Sequence, residues 1–157
     1  MAPKTLTLAS AGFQQDGTIP RRHTADGPDL SPPLEWSGLP SQTSSLSLVC
    51  DDPDAPVGTW VHWVIFNIPP KVHGLPEGVP VDPNLPDGTR QGRNDFGRTG
   101  YGGPAPPRGP AHRYYFRLFA LDIVLDLPAG TTRAALDAAM EGHVLAEGLL
   151  MARYGRS

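Results

Sequence analysis

The 157-residue chain is short of what several protein classes require. Its single cysteine, Cys50, rules out an internal disulfide and any cysteine-based metal cluster. Cys50 lies in an alternating run and reads as a small core residue. The net charge is only -3, with no basic block and no acidic tail. The electrostatic footprint of a nucleic-acid binder is therefore missing. No apolar run approaches membrane-spanning length, and the stretch from Met1 to Leu8 lacks the continuous apolar segment of a signal peptide. A soluble cytoplasmic protein with no integral membrane contact is the expectation.

What the chain has in quantity is turn chemistry: 18 glycines and 19 prolines, about a quarter of its residues. Well-patterned apolar runs lie between them, so the composition reads as one loop-rich folded domain over residues 1–157. Thr5 to Ser10, Leu34 to Trp36, Ser45 to Asp51, Thr59 to Ile68 and His112 to Asp122 read as strands, and 124–127 as a short further one. Arg90 to Ala111 is too rich in glycine and proline for regular structure and reads as an ordered functional loop. Near the C-terminus, Leu136, Met140, Val144, Leu145, Leu149 and Leu150 recur at helical spacing. With Thr131 or Thr132 as N-cap and Gly142 as divider, two helices over 132–141 and 143–153 are expected. Strands followed by terminal helices, without β-α alternation, indicate a mainly β antiparallel sandwich with one or two C-terminal helices.

The chemistry concentrates around Asp51 to Ile68. Pro53 and Pro56 stiffen an acidic loop that runs directly into a Trp60-x-His62 strand. Strand alternation puts Trp60 and His62 on one face and Val61 and Trp63 on the other. In the second strong strand, His112 and Tyr114 share a face. Asp52, and Asp54 with it, could converge with His62, His112 and Tyr114 into a donor-rich pocket suited to a phosphate-like anion. A carboxylate beside the histidines would fix their tautomers and keep them donors. The same residues also allow a satisfied core histidine and solvated turn aspartates. A metal centre of Asp52, His62 and His112, serving a metal-assisted hydrolase, is the enzymatic alternative. It matches no short motif such as His-Glu-x-x-His, and no Gly-x-Ser-x-Gly points to a serine nucleophile.

Several multi-residue stretches resemble one family. They are Asp52-Pro53-Asp54-Ala55-Pro56, Trp60-x-His62, Gly102-Gly103-Pro104-x-Pro106-Pro107 and His112-Arg113-Tyr114. Ser31-Pro32-Pro33-Leu34-x-Trp36, Asn67-Ile68-Pro69, Gly92-Arg93-Asn94-Asp95-Phe96-Gly97 and Gly142-His143-Val144-Leu145-Ala146 agree in order. Together they are similar to the phosphatidylethanolamine-binding protein family, and most to its bacterial Raf-kinase-inhibitor-like branch. The resemblance implies a two-sheet Greek-key sandwich with an anion pocket for phosphate or phosphoryl head groups. Asp52, His62, His112 and Tyr114 would form that pocket. Asp54, Pro56, Trp60 and Pro107 would wall it, and Gly103 would give a backbone donor. It further implies a cis Ala55–Pro56 bond, a homodimer and a non-enzymatic binder without a cofactor. Eukaryotic members modulate kinases and other partners, but no motif transfers those activities to this chain.

Overall fold

The computed structural model describes residues 4–157. Its elements are β1 (Lys4–Thr5), β2 (Thr7–Ala9), β3 (Leu34–Ser37), β4 (Ser45–Asp52), β5 (Trp60–Ile68), β6 (Gly74–Leu75), β7 (Arg90–Gln91), β8 (His112–Leu121), α1 (Arg133–Met140) and β9 (Val144–Tyr154). The larger sheet has the order β1-β9-β8-β4-β5-β7, and the smaller one the order β2-β3-β6. All pairings are antiparallel except β1 with β9, which is parallel. The expected first strand is thus two short ones. The chain crosses from one sheet to the other at Leu6, whose N–H is bonded to the Glu147 carbonyl.

Every residue of β4 is buried, because the large sheet is covered on both faces. On one face Leu46, Leu48, Cys50, Ile65, Phe116 and Leu118 pack against Leu8, Leu34, Trp36 and Leu75 of the small sheet. On the other, Val49, Val64, Phe66 and Leu121 lie under Leu136 and Met140 of α1. Each such fully buried side chain is worth about 1.5–3 kcal/mol of transfer free energy, which is set against chain entropy. The Thr132 hydroxyl caps α1 by accepting from the Ala135 N–H at 3.2 Å.

The second C-terminal helix does not form. Gly142, at φ +81°, ends the helical segment and the chain enters β9. There the buried positions are Ala146, Gly148, Leu150 and Ala152, an alternation of period two, while Leu149 faces out. Small inward residues give little hydrophobic signal, so the outward leucines imitate a helical stripe. Residues 124–127 are not a strand either. Leu125 is held at its N–H and its carbonyl by the Asn67 side chain, at 2.9 Å each.

One irregularity in β5 sets the direction of its side chains. Cys50 pairs with Trp63 and the next residue, Asp51, pairs with Val61, so His62 is an extra, unpaired residue. This β-bulge cancels one step of the alternation. Trp63 therefore joins the core between the sheets while Val61 joins the layer under α1, which corrects the expectation that the two share a face.

Candidate functional site

The bulge aims His62 into a cavity of about 210 Å³ at one end of the large sheet. β4 contributes Asp52, β5 Trp60 and His62, and β8 His112 and Tyr114; the acidic loop adds Ala55, Pro56 and Val57. The glycine- and proline-rich loop supplies Phe96, Ala105, Pro106 and Pro107. The walls are thus mainly apolar and the polar atoms sit on strands, an arrangement typical of small-ligand sites.

Asp52 is buried and both its oxygens are engaged. Oδ1 accepts the Asp54 N–H at 2.8 Å and Oδ2 accepts from His112 Nδ1 at 2.7 Å. This fixes the His112 ring with Nε2 as its remaining polar atom. His62 is fixed differently: its Nδ1 donates to the Gly102 carbonyl at 2.6 Å, and the Gly102 N–H returns a bond to the His62 carbonyl at 3.0 Å. Burial is the largest influence on His62 and lowers its pKa, against the opposing pull of the Gly102 carbonyl and of Asp52, Asp29 and Asp95. The expectation that a carboxylate beside the histidines fixes both tautomers is corrected here: only His112 touches one, and a carbonyl fixes His62.

Tyr114 is 1% exposed, and its hydroxyl has no hydrogen-bond partner among the described residues. Burial and the neighbouring Asp52 charge push its pKa up, so it stays a phenol. Edge-to-face contacts run from Trp60 to Phe96, from Phe96 to His62 and from His62 to Tyr114, with ring centroids 5.3–5.6 Å apart. Phe96 is the one aromatic among the lining residues outside the expected set, the others being Ala55, Val57, Ala105 and Pro106. The signal was a lone aromatic between Asn94-Asp95 and Gly97. Asn94 Oδ1 accepts the Phe96 and Arg98 N–H groups, and the Asp95 carboxylate accepts the Val61 N–H at 2.7 Å, which docks the loop on β5. Gly102 has to be glycine for the same aromatic, since a Cβ there would lie 2.6 Å from the Phe96 ring.

Two expected members lie elsewhere. Asp54 points to Arg113, accepting its N–H, its Nε–H at 2.9 Å and its terminal guanidinium N–H at 2.7 Å. Being committed to that fork, it staples the acidic loop to the start of β8 rather than lining the cavity. Gly103 donates its N–H to Asp29 Oδ1 at 2.9 Å and has none to offer a ligand. Pro56 and Pro107 do line the cavity. No cis peptide occurs among the described residues, so Ala55–Pro56 is trans. The Gly58 N–H bonds to the Ala55 carbonyl at 3.0 Å, which puts Pro56 at the second position of a β-turn, where a trans proline fits. Nor do any three His, Cys, Asp or Glu side chains among the described residues stand where they could hold one metal ion. Asp52 lies behind His112 rather than beside it, so the expected metal donor set does not converge.

The staple has a pH signature. Arg113 holds the Asp54 carboxyl down at about 2, from an ordinary 3.8. A depressed acid stabilises the fold above its unfolded pKa and loses that contribution as pH falls through the folded one. Asp54→Asn should therefore cost about 1 kcal/mol at pH 6, after discounting for partial exposure, and nothing near pH 2. Urea melts of both proteins across pH 2–7 check this; a gap that stays constant with pH would refute it.

With the geometry in place, comparison with known proteins is decisive on kinship. A family model described as phosphatidylethanolamine-binding protein matches residues 9–155. The chain belongs to this family. It is 54% identical over 151 residues to a UPF0098 protein of Methanothermobacter thermautotrophicus, covering 96% of this chain and 99% of that one. It is also 39% identical to the UPF0098 protein YbhB of Escherichia coli, covering 95% and 99%. Among solved structures, a phosphatidylethanolamine-binding protein homologue from Chlamydia trachomatis superposes with a TM-score of 0.89 at 37% identity, covering 98% of this chain and 99% of that one. Escherichia coli YbcL, described as a member of the mammalian family, gives 0.90 at 31%, covering 97% and 99%. The relatives thus include both archaeal and bacterial proteins. No helix among the described residues is long and apolar enough to cross a membrane.

Proposed function

We propose that this chain is a non-enzymatic binding protein whose cavity takes a small phosphate-like anion. The observation that carries the reading is the Tyr114 hydroxyl, a buried donor that makes no well-formed hydrogen bond and has only the neighbouring Asp52 carboxylate as a competing acceptor, beside two histidines whose Nδ1 atoms are already committed. A buried hydroxyl left without a partner is costly, and a ligand oxygen at this position removes the cost. His112, its Nδ1 held by Asp52, presents Nε2 as its one uncommitted polar atom, and the imidazolium form, with Asp52 behind it to balance the charge, would give the anion a second donor. Family membership fits a binding role, and the mainly apolar walls leave few protein groups to compete for the anion.

Calorimetric titration with inorganic phosphate tests the reading. One saturable site is expected, weakened about tenfold or more by Tyr114→Phe, which removes only the hydroxyl. Saturable binding that Tyr114→Phe leaves unchanged would place the ligand elsewhere.

A further inference from the structure

The two histidines differ in what they offer a ligand, and the difference bears on which phosphate chemistry fits; this step rests on the reading above. His62 Nδ1 is tied to a carbonyl oxygen, which can only accept, so Nδ1 must carry the proton. The ring is 3% exposed, pressed between Phe96 and Tyr114, and burial disfavours a second proton. Nε2 is then a lone pair, and among the described residues His62 makes no other side-chain hydrogen bond. An oxyanion bearing no hydrogen meets this lone pair with another, and both stay unsatisfied.

We propose that His62 Nε2 makes the cavity selective for an oxyanion that still carries an O–H: inorganic phosphate or a protonated phosphate monoester on a small molecule. Sulfate and phosphodiesters, which have no such hydrogen near neutral pH, are rejected. The ligand donates one hydrogen bond to His62 and accepts from Tyr114 and His112. A buried acceptor left facing a second acceptor forfeits the hydrogen bond and keeps the desolvation cost, which is the basis of strong discrimination at polar sites. By the same logic a phosphodiester lipid head group is the poorer fit, despite the family's name.

Titration of the wild-type protein at pH 7 and fixed ionic strength with inorganic phosphate, sodium sulfate and dimethyl phosphate decides the matter. Phosphate is expected to bind, with the other two weaker by about tenfold or more. Equal affinities for phosphate and sulfate would overturn the selectivity and leave the anion pocket standing. Binding of none of the three would remove the pocket's proposed function, and the selectivity with it. A second readout needs no variant: nitrogen-15 spectra of the histidines in the free protein should find His62 neutral and protonated at Nδ1 at pH 7. A proton on His62 Nε2 would refute the proposal even if sulfate bound poorly.

Discussion

Replacing His112 by alanine is expected to weaken phosphate binding about 100-fold, the largest effect of any single change at the cavity. A hydrogen bond to a charged group, here the anion, is worth about 1.5–3 kcal/mol, and each 1.4 kcal/mol is a factor of ten. The substitution also strands Asp52, a carboxylate only 3% exposed that would keep just the Asp54 N–H. Stability should therefore fall together with affinity. The double variant His112→Ala with Asp52→Asn separates the two effects. Neutralising the stranded carboxylate should recover part of the stability and none of the binding. Calorimetry for affinity and urea denaturation for stability make the comparison. Phosphate affinity within twofold of wild type in His112→Ala would show that the ligand does not reach this ring.

The second large effect belongs to the adjacent residue, on the opposite face of β4. Asp51 is 2% exposed and accepts from Arg117 at 2.9 and 3.2 Å and from Arg133 at 2.8 Å. It thereby ties β4 to β8 and to the first turn of α1. Removing one partner of a buried ion pair costs about 3–5 kcal/mol. Here the lower end is expected, because Arg117 also lies over the Tyr115 ring and Arg133 also pairs with Asp137 at 3.0 Å. Asp51→Ala should thus lose about 3 kcal/mol and melt about 6–12 °C lower. Its phosphate affinity, corrected for the unfolded fraction, should not change, since the side chain points away from the cavity. A variant that melts normally but binds poorly would reverse the roles assigned to the two aspartates.

The contrast between Asp51 and Asp52 was implicit in the sequence. Alternation through Leu46, Leu48 and Cys50 assigns Asp52 to the core-facing side and Asp51 to the other, as the structure has it. The same periodicity made β5 and β8 readable. What the pattern hid has particular causes. β9 turns alanine and glycine inward, and residues so small carry little hydropathy. The bulge at His62 leaves no mark in a run, Thr59 to Phe66, where every residue is β-branched, aromatic or histidine. Asp54 and Gly103 have the right chemistry and neighbourhood, but Arg113 and Asp29, distant in sequence, claim them first. Of the cavity members, Phe96 needed the loop's own hydrogen bonds to bring it against Trp60 and His62. Competition for partners is a three-dimensional quantity, and spacing along a chain does not encode it.

The extra residue in β5 has a bearing on redesign. Deleting a single position there would let the two strands pair without a break from Leu48 to Asp52, and hydrogen-bonded regularity would increase. The imidazole would then be swung out of the hollow, and a tidier, blind sheet would remain. Irregularity in the backbone is here the cost of giving a buried ring its line of sight, so optimisation for thermal stability alone would tend to erase the pocket.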